Sequence, residues 1–139
     1  MTTRRRVLFV CTGNRARSQM AEGFLRHLAG DSFEVYSAGT QPSGMSEHTI
    51  EVMREIGIDL SDQRSKSVEE FDGQSFDYVI TVCDSARQVC PVFPGDGERL
   101  HWDIEDPSDI EARGIPLADA FRITREELRK RIEPFAERG

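Results

Sequence analysis

The chain has 139 residues and a formal net charge of -7 at pH 7, with 25 acidic and 18 basic side chains. This length suits one domain whose core is large enough to fold without disulfides or metals. The acidic balance argues against nucleic acid and anionic membranes as partners, because both are bound by an excess of lysine and arginine. We therefore expect a single domain over residues 1–139 that acts as a monomer.

The N-terminus and the cysteines indicate a cytoplasmic protein. Arg4–Arg6 precede an apolar run, Val7–Val10, that is too short for a secretory signal. Cys11, Cys83 and Cys90 form an odd, widely spaced set, which does not predict a disulfide framework. No Cys-x2-Cys pattern and no histidine pair at ligand spacing indicates zinc, so we expect neither metal nor cofactor.

Short apolar or β-branched runs alternate with stretches of helical periodicity, which predicts an α/β fold with a parallel sheet. The predicted strands are Val7–Val10, Glu34–Ala38, Tyr78–Val82 and Arg99–Trp102. Parallel crossovers are right-handed, and the first strand leads into a loop suited to anions. We therefore expect an open four-stranded sheet of order 2-1-3-4, with helices on both faces.

Three helices are predicted around these strands. The first ends at Gly30, and its apolar face consists of Ala21, Phe24, Leu25 and Leu28. The second runs from an N-cap at Ser46 to Ile56 and stops at Gly57, with an apolar stripe made of Ile50, Met53 and Ile56. The last begins near Pro116, and its apolar positions include Phe121, Leu128 and Ile132.

The segment Cys11–Ser18 lies between the first strand and the first helix. Such a loop directs backbone N–H groups, the positive end of the helix dipole and the Arg17 guanidinium at one point, which suits a tetrahedral oxyanion. The same positive surroundings favour the thiolate of Cys11, a candidate nucleophile to which Ser18 can hydrogen-bond. The alternative is a buried structural cysteine in a phosphate-binding turn. The predicted oxyanion-binding residues are Thr12, Gly13, Asn14, Arg15, Ala16, Arg17 and Ser18.

Two further thiols, Cys83 and Cys90, follow the third predicted strand, so the sheet brings Cys83 to the same edge as Cys11. If the stretch between them is helical, their Cα atoms are about 10 Å apart along the axis. A disulfide requires less than roughly 7 Å. A bridge therefore requires residues 84–89 to loosen, which makes them a candidate redox-driven moving element. The alternative is that both cysteines are small core residues.

An acidic loop follows the fourth predicted strand and faces the anion loop. A carboxylic acid here can protonate an oxygen that leaves the oxyanion. Chemistry alone does not choose among the four acids of this stretch, or between this role and a solvated turn. The four acids are Asp103, Glu105, Asp106 and Asp109.

The sequence from Cys11 to Gly23 resembles the phosphate loop of low-molecular-weight protein tyrosine phosphatases and, more closely, of the thioredoxin-coupled arsenate reductases that share their fold. Other segments that resemble the reductases are Tyr36–Gly39, Thr81–Cys83, Cys90–Pro91, His101–Trp102 and Asp106–Pro107. The resemblance implies reduction of arsenate to arsenite, with thioredoxin as the reductant. It also implies roles for five residues: Cys11 as nucleophile, Arg17 as oxyanion clamp, Cys83 and Cys90 as relay thiols, and Asp106 as general acid.

The chain departs from the family pattern at two positions. Ala16 stands where many relatives have a second loop cysteine, so no bridge can form within the loop. Some reductases bind potassium through residues matching Asn14, Glu22 and Ser37 plus an acid, and Lys66 occupies that acidic position here. Our hypothesis is that the Lys66 ammonium replaces the ion.

Two alternative functions remain open. Phosphate and arsenate have near-equal shape and charge, so the loop also suits a phosphatase acting on phosphotyrosine or another phosphoester. The residues after Asp106–Pro107 lack the tyrosines that resemble a phosphotyrosine slot, and a phosphatase has no use for Cys83 and Cys90. The other alternative is a non-catalytic oxyanion sensor, which needs the pocket but no acid.

Overall fold

A computed structural model describes residues 3–83 and 95–139. Cys90 and the segment 84–89 lie outside these ranges. The strands are β1 (Arg5–Cys11), β2 (Phe33–Gly39), β3 (Tyr78–Cys83) and β4 (Glu98–Asp103). The α-helices are α1 (Arg17–Ala29), α2 (Glu47–Arg54), α3 (Pro107–Glu111) and α4 (Leu117–Ala136), and a 3₁₀ helix spans Val68–Phe71. Within the described ranges, no helix combines the length and the apolar character needed to cross a bilayer.

The four strands form one parallel sheet of order β2-β1-β3-β4, which confirms the predicted α/β fold class and strand order. Val10 is in register with Ala38 on one side and with Thr81 on the other. Parallel strands end at the same edge of a sheet, so Cys11 and Cys83, the last residues of β1 and β3, lie at that edge.

The two faces of the sheet are covered differently. Side chains of α1, α2 and α4 pack on one face in a cluster that includes Phe9, Cys11, Ile80 and Val82. On the other face, a smaller cluster contains Leu8, Val10 and Val79. It also contains Phe71, the last residue of the 3₁₀ helix, and Phe76. Successive strand residues point to opposite faces, so Cys83 shares the face of Val79 rather than that of Cys11.

Helices α1 and α2 differ from their predicted apolar face and predicted end, respectively, because packing overrides the local sequence pattern. Leu28, expected on the apolar face of α1, is 46% exposed, because the core position one turn after Leu25 is taken by Ala29. Helix α2 ends at Arg54, short of Ile56. Gly57, the predicted stop, lies three residues beyond this end; it has a φ of 80°, and the N–H of Ile58 bonds back to the Met53 carbonyl.

The N-termini of α2 and α4 agree with the predicted N-cap at Ser46 and the predicted start near Pro116. Ser46 occupies the N-cap position of α2 in an extended conformation, but its side chain makes no capping hydrogen bond. Its backbone N–H instead donates to the carbonyl of Arg15. Pro116 is likewise the N-cap residue of α4, which begins at Leu117.

Candidate active site

A cavity of about 420 Å³ opens at the carboxyl edge of the sheet, in front of the loop that joins β1 to α1. It brings together Cys11, Arg17 and Asp106, three residues predicted to act in one site. Of the four candidate acids, Asp106 is the one that lines this cavity. The lining residues are Cys11, Thr12, Gly13, Arg15, Ala16, Arg17, Gln41, Ser43, Asp106, Ser108 and Phe121.

The loop after β2 forms hydrogen bonds with carbonyl groups on the outer side of the anion loop, Cys11–Ser18. The carbonyl oxygens of Cys11–Gly13 accept hydrogen bonds from the backbone N–H groups of Thr40, Gln41 and Ser43, at 3.2, 2.8 and 3.0 Å respectively. Because these carbonyls are bound on the outer side, they do not compete for the anion position. The N–H groups and the α1 dipole are thus left to bind a negative charge.

The end of β2 lies so close to the anion loop that glycine is required at position 39. A Cβ atom on Gly39 would lie 2.6 Å from the carbonyl oxygen of Thr12 and 2.8 Å from the backbone nitrogen of Asn14. Both atoms belong to backbone that the hydrogen bonds above hold in place. Any larger residue at Gly39 would therefore push the anion loop out of position.

The sulfur of Cys11 receives two hydrogen bonds from its own loop. The backbone N–H of Asn14 donates to Sγ at 3.2 Å, and the hydroxyl of Ser18 lies 2.8 Å from it. The side-chain amide of Asn14 donates to that hydroxyl oxygen at 2.8 Å, which leaves the hydroxyl hydrogen free to point at the sulfur. Both contacts fix the position of the sulfur within the loop.

Asn14 is the centre of the network behind the loop. It has a φ of 46°, in the left-handed region that asparagine tolerates better than most residues. Its side chain donates to Ser37 at 3.0 Å and accepts from Gln19 at 2.8 Å and from the Lys66 backbone at 2.9 Å. Asn14 and Ser18 are completely buried and do not line the cavity. They therefore lie behind the residues that line the cavity, and their contact with the oxyanion stays a prediction.

A buried ion pair ends this network. Ser37 donates to Glu22 at 2.5 Å, and the Lys66 ammonium lies 3.7 Å from the same carboxylate oxygen. Burial lowers the pKa of Lys66 from its ordinary value, and the nearby Glu22 charge opposes that shift. The expected position of Lys66 beside the loop is confirmed. Arg26 binds the second oxygen of Glu22 at 2.5 Å.

Arg17 and Asp106 contact each other across the cavity. The Arg17 guanidinium donates to the Ile104 carbonyl at 3.1 Å and to one carboxylate oxygen of Asp106 at 3.3 Å. The other carboxylate oxygen accepts the backbone N–H of Ser108 at 2.9 Å, which makes Asp106 the N-cap of α3. The cap aims the carboxylate at the site, and its side chain remains 39% exposed.

A family model described as low molecular weight phosphotyrosine protein phosphatase matches residues 6–138 of the chain. The chain belongs to this family. An arsenate reductase from Halalkalibacterium halodurans is 43% identical over 133 residues, 96% of each chain. The structure of an arsenate reductase in its phosphate-binding state is similar, with a TM-score of 0.79, 33% identity and coverage of 96% of this chain and 98% of the other. A thioredoxin-dependent arsenate reductase from Corynebacterium glutamicum gives a TM-score of 0.66 and 31% identity, over 94% of this chain and 62% of the other.

Cys83 is placed differently from the other candidate residues of this phosphatase-family protein. It ends β3, is buried and unbridged, and is in register with Asp103 of β4. It does not line the cavity, and strand alternation assigns its side chain to the opposite face from Cys11. The structure therefore brings Cys11 and Cys83 to one sheet edge without facing their thiols toward each other. Cys90 lies outside the described residues.

Four residues that line the cavity in front of the anion loop were not predicted from the sequence: Gln41, Ser43, Ser108 and Phe121. Gln41 and Ser43 lie in the loop after β2, and Ser108 lies in α3, the first element after β4. Segments that follow parallel strands gather at one sheet edge, so position along the chain was a usable signal. Phe121 lies within α4 and stacks on His48 at 5.2 Å between ring centroids. No local pattern separates Phe121 from an ordinary core residue.

Proposed function

We propose that this protein is an arsenate reductase that converts arsenate to arsenite and is regenerated by thioredoxin. The observation that carries the proposal is the similarity to curated relatives named arsenate reductases, at 36–43% identity over nearly the whole chain. The meeting of Cys11, Arg17 and Asp106 around one cavity supports a site for a tetrahedral oxyanion.

The first step is formation of a bond between sulfur and arsenic. The Cys11 thiolate attacks arsenate held by the loop N–H groups and Arg17, and one arsenate oxygen leaves as water after Asp106 supplies a proton. Arsenic stays in the +5 state in this step. The contacts of Ser18 and Asn14 with Sγ hold the sulfur in position for the attack.

The second step reduces arsenic. The Cys83 thiolate attacks the Cys11 sulfur, a disulfide forms, the bond between sulfur and arsenic breaks, and its electron pair remains on arsenic, which leaves as arsenite. Cys90 then attacks Cys83, which forms a Cys83–Cys90 disulfide and releases the Cys11 thiolate. Because Cys83 belongs to the far face of the sheet, this step requires the end of β3 to turn toward the cavity.

A dithiol protein must reduce the Cys83–Cys90 disulfide before the next cycle, and thioredoxin is the class of reductant that we propose. The similar Corynebacterium glutamicum protein is described as thioredoxin-dependent. Such a cycle starts from free thiols, which persist in reducing compartments, so we place the protein in the cytoplasm.

A single-turnover experiment tests the relay. Reduced protein is mixed with arsenate in the absence of any reductant, arsenite is counted, and disulfides are mapped by mass spectrometry. We expect one arsenite per protein and a Cys83–Cys90 disulfide, whereas Cys90→Ser should stop at a Cys11–Cys83 disulfide. No arsenite, or arsenite released with all three thiols still reduced, would contradict the proposal.

The phosphatase activity named by the family is a second candidate, and Phe121 is the observation that favours it. This aromatic ring lines the same cavity as Cys11, where it can contact the ring of an aryl phosphate. Cys83→Ser separates the two activities. It should abolish arsenate turnover and leave any hydrolysis of p-nitrophenyl phosphate intact, because phosphoester hydrolysis needs Cys11, Arg17 and Asp106 only.

A further inference from the structure

We propose that the side chain of Arg15 is a second cation at the mouth of the cavity, and that it captures the incoming oxyanion before the loop N–H groups and Arg17 bind it. The proposal deepens the function proposed above by assigning a role to a side chain, whereas the loop binds anions through its backbone. Its binding test does not depend on arsenate being reduced.

The position and freedom of Arg15 support this role. Its side chain is exposed and lines the same cavity as Cys11 and Arg17. Among the residues that the structure describes, none forms a hydrogen bond or ion pair with its guanidinium. Arg17, by contrast, already binds the Ile104 carbonyl and Asp106. Arg15 is therefore the guanidinium available to an anion that approaches from solvent.

The charge balance of the cavity shows why a second cation matters. The Arg17 charge is opposed by Asp106 at 3.3 Å, and a Cys11 thiolate adds a further negative charge. The N-terminus of α1 contributes only about half a positive charge. The chain as a whole carries -7 and repels anions. Arg15 adds a full positive charge to the described charges around the cavity, which strengthens the attraction of a doubly charged oxyanion.

The backbone of Arg15 is held without help from its side chain. Its carbonyl oxygen accepts the N–H of Ser46 at 3.3 Å and the hydroxyl of Thr49 at 3.0 Å. Replacing the exposed side chain therefore leaves the loop conformation in place. This separation lets Arg15→Gln report on charge rather than on loop shape.

Arg131 offers a matched control. It is exposed on α4, forms no ion pair among the described residues, and lines a different groove beside β4. It lies ten residues after Phe121, about 15 Å further along the helix. Arg131→Gln removes the same charge from the protein without changing the cavity, so it measures the effect of net charge alone.

The first measurement is binding of inorganic phosphate, read as protection of Cys11 from iodoacetamide and quantified on the Cys11 peptide. We expect the half-protecting phosphate concentration to rise roughly tenfold in Arg15→Gln, within the range of electrostatic focusing. Arg15→Lys should stay near the unmodified protein, as should Arg131→Gln. Equal protection in Arg15→Gln and Arg131→Gln, or an equal loss in Arg15→Lys and Arg15→Gln, would overturn the proposal.

The second measurement is the salt dependence of arsenate turnover with a thioredoxin system. We expect Arg15→Gln to raise KM far more than it lowers kcat, and to flatten the decline of kcat/KM with ionic strength, because screening acts on an exposed charge. A loss confined to kcat would overturn the proposal. If no variant reduces arsenate but the phosphate shift is observed, the Arg15 role stands and the reductase assignment fails.

Discussion

The ammonium of Lys66 lies 3.7 Å from the carboxylate of Glu22, and the two side chains are only 9% and 6% exposed. This pair is connected to the nucleophile through buried hydrogen bonds. Glu22 accepts from Ser37, whose oxygen accepts from Asn14, which in turn binds Ser18 beside the Cys11 sulfur. A fixed positive charge therefore sits at the end of the network that orients the thiolate.

We expect turnover to be independent of potassium, because the Lys66 ammonium already lies beside the Glu22 carboxylate. We expect less than a twofold difference in kcat/KM between potassium and choline buffers of equal ionic strength. In Lys66→Ala, Glu22 loses one partner, and we expect a stability loss of about 1–3 kcal/mol, because Arg26 still pairs with the carboxylate. Potassium should restore part of that loss. Strong activation of the unmodified protein by potassium would contradict this role of Lys66.

Asn14→Ala should destabilise the protein by about 2–4 kcal/mol, because it removes a buried hydrogen-bonding side chain and leaves alanine at a positive φ. Urea unfolding gives the free energy, and iodoacetamide alkylation of Cys11 reports the loss of thiolate support. Asn14→Gly is the control, since glycine accepts this φ and should recover about 1 kcal/mol of the loss. Equal stability of the two variants would show that backbone strain contributes nothing here.

Asp106→Asn should lower single-turnover arsenate reduction by roughly 10² to 10⁴-fold, the range for loss of a general acid. Asparagine also caps helices well, so α3 should remain intact, and circular dichroism checks this. Glu111→Gln, which changes an exposed carboxylate of α3, should have no effect on turnover. An unchanged rate in Asp106→Asn would remove this residue from the chemistry and would favour a binding protein over an enzyme.

Cys83 should react with iodoacetamide more slowly than Cys11 in the reduced, resting protein. Cys11 lines the cavity, whereas Cys83 is 1% exposed at the end of β3 and lines no part of it. Peptide mass spectrometry after brief labelling gives the order in which the two cysteines are modified. Labelling in urea gives the rate of each cysteine in the unfolded chain, with which its rate in the folded protein is compared. Faster labelling of Cys83 in the folded state would mean that its thiol already reaches solvent.

The stability of the protein at acid pH should depend on Glu55, which caps the end of α2 and forms ion pairs with Arg122 and Arg125 of α4. Hydrogen bonds from Arg122, which has the larger effect, and from Arg125 lower the pKa of Glu55 from 4.5 to about 2. Between these pH values the unfolded chain binds more protons than the folded one, so this contribution is present above pH 4.5 and is lost as pH falls toward 2. Glu55→Gln should flatten the dependence of Tm on pH in that window. Glu51→Gln, an exposed change on the same helix, should leave it unaltered.

The sequence by itself determined the strands, their order and the position of the anion loop. These features are local. A buried strand, a glycine turn and a helix start are each encoded within about ten neighbouring residues, and parallel crossovers restrict how the strands can then be ordered. The positions of Cys11 and Arg17 in the anion loop could therefore be predicted from the sequence alone.

The tertiary structure decided which distant side chains meet. It selected Asp106 from four neighbouring acids, brought Phe121 of α4 to the cavity and paired Lys66 with Glu22. It also assigned Cys83 to the opposite face from Cys11. Such relationships join residues far apart in the chain, and they are set by how helices and loops pack on the sheet. Side-chain packing of this kind has no period that a sequence pattern can display.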